Sequence, residues 1–190
     1  MFKNTFKKNN FLPNFENFNY NYNLDYITKF NKINTFSKTK CIKISLNFGF
    51  KEIKFDKKQM ILHFFILELL SNQKCVITVS RKNLISFKIK KGSVTGCKIT
   101  LRNNQLNSFL DTLILGLPRS EMFKGFSFKK NSNKHNTYST KLKNLFIFYS
   151  LESEINSFIK SMDISFSFNT VNDLEKRFFF TYNKIPLKYF

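Results

Sequence analysis

Acidic residues are scarce: 12 Asp and Glu stand against 32 Lys and Arg in 190 residues, a formal net charge of +20. A chain so unbalanced repels itself and calls for a polyanion to neutralise it, of which nucleic acid is the commonest. The excess lies well beyond the about 2 to 8 charges that keep a small domain soluble. Long apolar runs are lacking too. The longest, Met60 to Leu70, is broken by His63 and Glu68 and has the length of a core helix rather than a membrane span. The basic residues are spread along the chain instead of lining one amphipathic helix, so no membrane partner is expected. Only three cysteines occur, Cys41, Cys75 and Cys97, without paired spacing, and they read as small buried hydrophobes rather than zinc ligands. With five glycines in all, no phosphate-cradling loop is available: LGLPRS around Gly116 lacks the Gly-Lys-Ser/Thr ending. No arginine precedes Arg81, and Glu16 and Asp25 lie in the N-terminal region, unlike an import presequence; a protein made inside an organelle needs none.

What is abundant is Phe, 26 residues of it, together with Lys and Asn. These are the residues of the most A- and T-rich codons, which points to an organelle genome. The length fits one domain with a real core. Residues 1–38, low in complexity around NFENFNYNYN, read as an N-terminal Asn/Phe/Lys-rich extension, its composition suiting both disorder and stacking on RNA. Residues 39–190 read as a single domain.

From Cys41, the alternation of Ile42, Ile44, Leu46 and Phe48 with Lys43, Ser45 and Asn47 predicts a strand ending at Gly49. Asp56 then caps a helix to about Leu70 whose apolar face is Met60, Ile61, Phe64, Phe65, Leu67 and Leu69. A turn at Asn72 to Lys74 leads to a strand at Cys75 to Ser80. Ile85, Phe87 and Ile89 alternate with Ser86, Lys88 and Lys90, which predicts a strand with one core face and one cationic face. Gly92 and Gly96 then turn the chain into Cys97 to Arg102, making a projecting basic hairpin. A second helix runs from Asn103 or Asn104 to Gly116, with Leu106, Phe109, Leu110, Leu113 and Ile114 at helical spacing. Glu121 to Lys143 reads as a long loop. Strands at Leu145 to Tyr149 and Met162 to Phe168 and a helix from Asn172 or Asp173 to about Tyr182 complete the pattern. The fold class is α+β: an antiparallel sheet with helices packed on one face.

KISLNFG (43–49), NQKCVITVSRK (72–82), SFKIKKG (86–92), GCKITLR (96–102), LPRSEMFKGF (117–126) and SMDISF (161–166) occur in that order. Together they resemble large-subunit ribosomal protein five, the bacterial-type protein of the central protuberance, over about Thr39 to Lys188. The resemblance implies a nonenzymatic, RNA-binding constituent of an organelle ribosome, most simply mitochondrial, with a plastid as the alternative. Its implied partners are 5S rRNA where present, large-subunit rRNA, neighbouring central-protuberance proteins, P-site tRNA, and small-subunit protein thirteen as an intersubunit bridge. Asn47, Gln73 and Thr100 match the positions with which the family hydrogen-bonds 5S RNA. Arg81 and Lys82 match its basic pair beside the RNA, with Arg102 closing the ITLR motif. Lys88, Lys90, Lys91, Gly92 and Gly96 fall in its tRNA-facing hairpin. Where the family has an FDGRGNYS-like loop before the bridge, this chain reads NSNKHNTYS, keeping Asn136, Tyr138 and Ser139.

The chemistry of the residues agrees. Lysine and arginine attract phosphates by charge, whereas Asn, Gln and Thr add directional bonds to ribose hydroxyls and base edges. Enzymatic readings have less to stand on. His63 lies on or beside an apolar helix face and reads as structural; His135 sits in a polar loop. A basic RNA-binding protein or a metal-dependent nuclease is the alternative function, with Asp111, Glu152 or Asp163 as candidate magnesium ligands, though these acids share no spacing. No cofactor is expected.

Overall fold

The structure, a computed structural model, describes residues 15–32, 34, 37–49, 57–83, 85–87, 89–119, 123, 125–127, 136–151 and 161–188. Two compact units divide the chain, Met1–Lys38 and Thr39–Phe190. In the first, α1 (Phe15–Phe30) places Tyr22, Tyr26 and Phe30 four residues apart, so their rings meet on one side with centroids 6.0 and 4.9 Å apart. The Tyr26 hydroxyl donates to the Ser37 carbonyl at 3.3 Å, tying the helix to the segment after it.

The second unit is an α+β layer. Its strands are β1 (Cys41–Gly49), β2 (Val76–Val79), β3 (Val94–Leu101), β5 (Thr137–Leu142) and β6 (Met162–Phe168), in the spatial order β2-β3-β1-β6-β5, every neighbouring pair antiparallel. β4 (Phe126–Ser127) and β7 (Leu187–Lys188) form a separate parallel pair. The helices are α2 (Lys57–Ser71), α3 (Asn103–Gly116) and α4 (Asp173–Tyr182).

Strand alternation decides what faces the helices. Ile44, Leu46 and Phe48 of β1, Cys97, Ile99 and Leu101 of β3, and Met162, Ile164, Phe166 and Phe168 of β6 are all buried in one core with Ile66 and Leu67 of α2 and Phe109, Leu110 and Leu113 of α3. Phe180 of α4 meets Phe166, Phe168 and Tyr138 edge-on at 5.1, 5.6 and 5.2 Å. The start of α4 is fixed by a buried polar cluster. The Thr39 hydroxyl donates to one Glu175 oxygen at 2.8 Å and the Asn172 amide to the other at 2.9 Å, so the buried carboxylate is held from both sides.

Five sequence expectations are corrected. Ile85–Phe87 is one turn of 3₁₀ helix, with Ile85 91 % exposed, so no apolar strand anchors a hairpin there. The hairpin is instead β2 with β3, and residues 80–93 form its connection. Gly96 is not at a tip but inside β3, opposite Gly49, where a Cβ would collide with the Phe48 carbonyl oxygen; that close approach, not a turn, is what requires glycine. Part of the supposed loop 121–143 is β5, an edge strand. Leu145 to Tyr149 is irregular rather than a strand: Leu145, Ile147 and Phe148 are buried, Phe109 lies 6.0 Å from Phe148, and a Cβ on Gly116 would strike Ile147. On α2 the buried positions among the described side chains are His63, Ile66, Leu67, Leu70 and Ser71, whereas Ile61, Phe65 and Leu69 are exposed. The expected cap Asp56 lies outside the described residues.

Candidate nucleic-acid interface

The face of the sheet turned away from the helices collects the alternate residues of all five strands. Cross-strand register lines them up in rows. One row reads Val76, Lys98, Asn47, Asp163, Lys141 from β2 to β5. The next reads Thr100, Ser45, Ser165, Ser139, and Ser167 pairs with Lys43 and Thr137 beyond it. Ser45, Asn47, Lys98, Ser139, Lys141, Asp163 and Ser165 line one shallow open groove.

This surface has an unusual makeup for a chain with 26 phenylalanines: among its described strand residues none is aromatic. The rings point inward, as Phe48, Phe166, Phe168 and Tyr138 do. What points outward is mostly hydroxyl, amide and ammonium, with Asp163 as the acid on these strands and Val76 as an exposed apolar residue on β2. Asp163 is engaged by Lys141 at 3.3 Å, both side chains about half exposed at 45 % and 49 %. The Ser139 and Ser165 hydroxyls lie 2.9 Å apart. Three lysines against one carboxylate leave the face cationic, and its hydroxyls and amide can both donate and accept. Such a surface can neutralise phosphates and bond riboses, and it has no ring on which to stack a base.

Of the residues singled out from sequence, Asn47 and Thr100 lie on this face, in adjacent rows. Gln73 is half-buried in the turn between α2 and β2; its backbone N–H donates to the Ser71 hydroxyl at 3.2 Å, and that hydroxyl also bonds the Leu67 carbonyl at 2.7 Å, closing the helix. Asn72 makes this turn with a φ of 52°. Arg102 is exposed and extended just after β3, at the entry to α3. By register, Gln73 and Arg102 belong to one end of the sheet.

Arg81, Lys82, Lys90, Lys91 and Gly92 belong to the other end, in the exposed β2–β3 connection. Local bonds fold this excursion onto itself. The Ser80 N–H donates to the Ser93 carbonyl and the Gly92 N–H to the Ser80 carbonyl, both at 2.9 Å. The Lys91 N–H donates to the Asn83 side chain at 2.6 Å, and Gly92 takes a φ of +85° that glycine favours. Lys88 lies outside the described residues. Sequence reasoning missed the contributions of Ser139, Lys141 and Ser165. Their signal is the two-residue alternation of TYSTKL and MDISFSF, and only the pairing of β5 with β6 brings them beside Asn47.

Among the described residues the other chemistry-bearing side chains do not converge on a centre. His63 is buried with its ring edge-on to Phe48 at 4.9 Å, and His135 lies outside the described residues. Asp111 is on α3, where burial raises its pKa, whereas Asp163 is on the outer sheet face and Glu152 is outside the described residues. Among the described residues no three His, Cys, Asp or Glu gather as a metal site. Burial pushes the Cys41 and Cys97 thiols up to about 12.

Comparison with known proteins bears on what this face meets. A model of the C-terminal region of the ribosomal protein L5 family matches residues 94–187, from the first residue of β3 into β7. The chain is similar to large ribosomal subunit protein uL5m of Reclinomonas americana, 41% identical over 136 residues that cover 71% of this chain and 74% of the relative. Its similarity to large ribosomal subunit protein uL5 of Wolbachia pipientis subsp. Culex pipiens is 35% identity over 150 residues, covering 78% and 84%. With uL5 of Dichelobacter nodosus it shares 40% identity over 126 residues, covering 66% and 70%.

Proposed function

The chain belongs to the uL5 family of large ribosomal subunit proteins, and we propose on that premise that the outer face of its sheet is the surface that binds ribosomal RNA, 5S rRNA where the ribosome has one. Its role is structural, as a constituent of the large subunit in translation, and its location is the mitochondrial ribosome, in keeping with the mitochondrial relative uL5m. The observation that carries the RNA assignment is the segregation of side chains across the sheet: every described ring on these strands goes inward, and a span of lysine, amide and hydroxyl from β3 to β5 is left outside, bordered by Val76 of β2. Structural solvation alone does not need Asn47, Ser45 and Thr100 aligned in neighbouring rows beside Lys98. On RNA, Lys43 and Lys98 meet phosphates, while Asn47 and Thr100 fix the register through ribose and base-edge bonds. Gln73 and Arg102 extend that contact past one end of the sheet.

The β2–β3 connection serves a second RNA. Arg81, Lys82, Lys90 and Lys91 are exposed on a loop whose base is tied by Ser80 and Ser93, which holds the charge outward. Charge that meets phosphates whatever the base sequence suits a ligand that changes sequence while keeping its backbone, as tRNA in the P site does. The region 127–143, ending in β5, is assigned to the contact with small-subunit protein thirteen. Neighbouring proteins of the central protuberance take the remaining surface.

Gradient fractionation of mitochondrial ribosomes tests the assignment. The chain is expected in the large subunit together with 5S rRNA, and released with it at high salt. Recovery in soluble fractions alone overturns the ribosomal placement; recovery in subunits from which 5S rRNA can be stripped without loss of the chain overturns the choice of RNA.

A further inference from the structure

Asp163 is out of place on a surface built to meet phosphates. Its strand neighbour on that face is Ser165, its cross-strand neighbours are Asn47 and Lys141, and it lies in the groove they line. Repulsion from RNA phosphates disfavours a carboxylate here, and the exposed ion pair with Lys141 contributes too little to stability to account for one. The pair also engages one carboxylate oxygen: Lys141 Nζ sits 3.3 Å from Oδ1, and among the described residues no contact occupies Oδ2. A carboxylate at neutral pH only accepts hydrogen bonds. In RNA the groups that donate are ribose hydroxyls and the N–H groups of bases. The ring-free face has nothing to hold splayed bases by stacking, which favours the wide, shallow minor groove of a paired segment, where the guanine 2-amino group is the base donor on display.

We infer that Asp163 is a specificity-determining residue that accepts a hydrogen bond from the 2-amino group of a guanine in the minor groove of paired RNA. Lys141 neutralises the carboxylate and orients it, and the hydroxyl row of Thr100, Ser45, Ser165 and Ser139 runs alongside to meet ribose 2′-hydroxyls. The inference rests on the reading of this face as an RNA surface and adds to it the identity of a base group that is read.

The test uses the full chain and two RNA hairpins of identical design, one with a stem of G·C pairs and one with inosine in place of every guanosine, both verified to stay paired at the assay temperature. Inosine lacks only the 2-amino group. Wild-type protein is expected to prefer the guanosine stem by about tenfold, the worth of one bond to a charged acceptor. Asp163→Ala is expected to erase that preference by losing affinity for the guanosine stem alone. A pure charge effect has the opposite sign: removing the carboxylate would then strengthen binding to both stems alike, and that result overturns the inference. Asn47→Ala separates the two levels. If it weakens binding while Asp163→Ala leaves the guanosine preference intact, the face binds RNA and the role of Asp163 is refuted; if neither variant changes binding and both melt like the wild type, the RNA surface itself is elsewhere. Because the pair is exposed, the variants are expected to fold, and a melting curve for each verifies it.

Discussion

Asn47 and Lys98 face each other across β1 and β3 on the outer sheet face, yet their replacement by alanine is expected to weaken RNA binding in two distinguishable ways. Neither is buried, Asn47 being partly exposed and Lys98 exposed, so the core layer beneath them is untouched and expression and melting should stay near wild type. Asn47→Ala removes one neutral hydrogen-bonding group, a loss of about 1 kcal/mol or about fivefold in Kd, and the deficit is the same at every salt concentration. Lys98→Ala removes one phosphate-neutralising charge, so the slope of log affinity against log salt falls by roughly 0.7 to 0.9. Between about 50 and about 200 mM salt that change of slope shrinks the variant's handicap by about threefold. Titration of labelled bacterial 5S rRNA by fluorescence anisotropy at both salts reads the two effects side by side. If the Asn47→Ala deficit also shrinks with salt, the amide makes no directional contact and the face acts as charge alone. If neither variant alters Kd while both remain folded, the outer sheet face is not the RNA interface.

The glycines opposite each other in β1 and β3 give a second contrast: Gly96→Ala, whose Cβ meets the Phe48 carbonyl, is expected to destabilise the domain by about 1 to 3 kcal/mol, whereas Gly49→Ala, with open space around it, stays close to wild type in a urea melt. Neutralising Lys90 and Lys91 together is expected to leave subunit incorporation intact and to lower P-site tRNA retention, and a photo-cross-linker at Ser93 on assembled ribosomes should capture tRNA; adducts to large-subunit RNA alone would make the connection an assembly anchor. The thiols of Cys41 and Cys97, held up at about 12 by burial, ionise in the unfolded chain first, so their contribution to stability is full below the ordinary thiol pKa of 9.0 and declines as pH rises past it. Ellman's reagent at pH near 8 is therefore expected to modify both only on unfolding, and fast labelling of Cys97 in the native protein would contradict its burial.

How much of this was legible in the sequence depended on whether an element carried an unambiguous period. β1 alternates from Ile44 to Phe48 and α3 places its buried residues three and four apart, so both were readable; β6 was found by its alternation and α4 by its cap at Asn172 or Asp173, whereas β3 begins at Val94, three residues before the expected Cys97. α2 is apolar nearly all round, and such a helix has no phase to read; which side faces the core was settled by packing under Phe48 and β3, leaving Ile61, Phe65 and Leu69 outside. β5 hides as TYSTKL because only Tyr138 and Leu142 are buried, while Leu145 to Phe148 mimics a strand because a non-repetitive segment fills the space beside Gly116 and Phe109. Ser86, Lys88 and Lys90 looked like one face of a strand, but Asn83, Ser80 and Ser93 offer the backbone of the described residues around them local partners that compete with a ladder. Asn47 and Thr100 were found through their motifs. Asp163, Ser139 and Lys141 became part of the same surface only through β5–β6 pairing, which no local pattern specifies.

β2 has consequences for the life of the protein before it reaches a ribosome. It ends the five-stranded sheet, its sequence VITV is uncharged, and Val76, Ile77 and Val79 are all exposed. A newly made copy therefore carries an adhesive edge and a large unneutralised charge at once, the first favouring pairing with any other open strand and the second favouring capture by any stray RNA. Such a molecule cannot be stockpiled. Its synthesis has to keep pace with subunit assembly, and copies left over are expected to be cleared quickly, so the abundance of this chain in the organelle should follow the number of large subunits rather than the level of its messenger RNA.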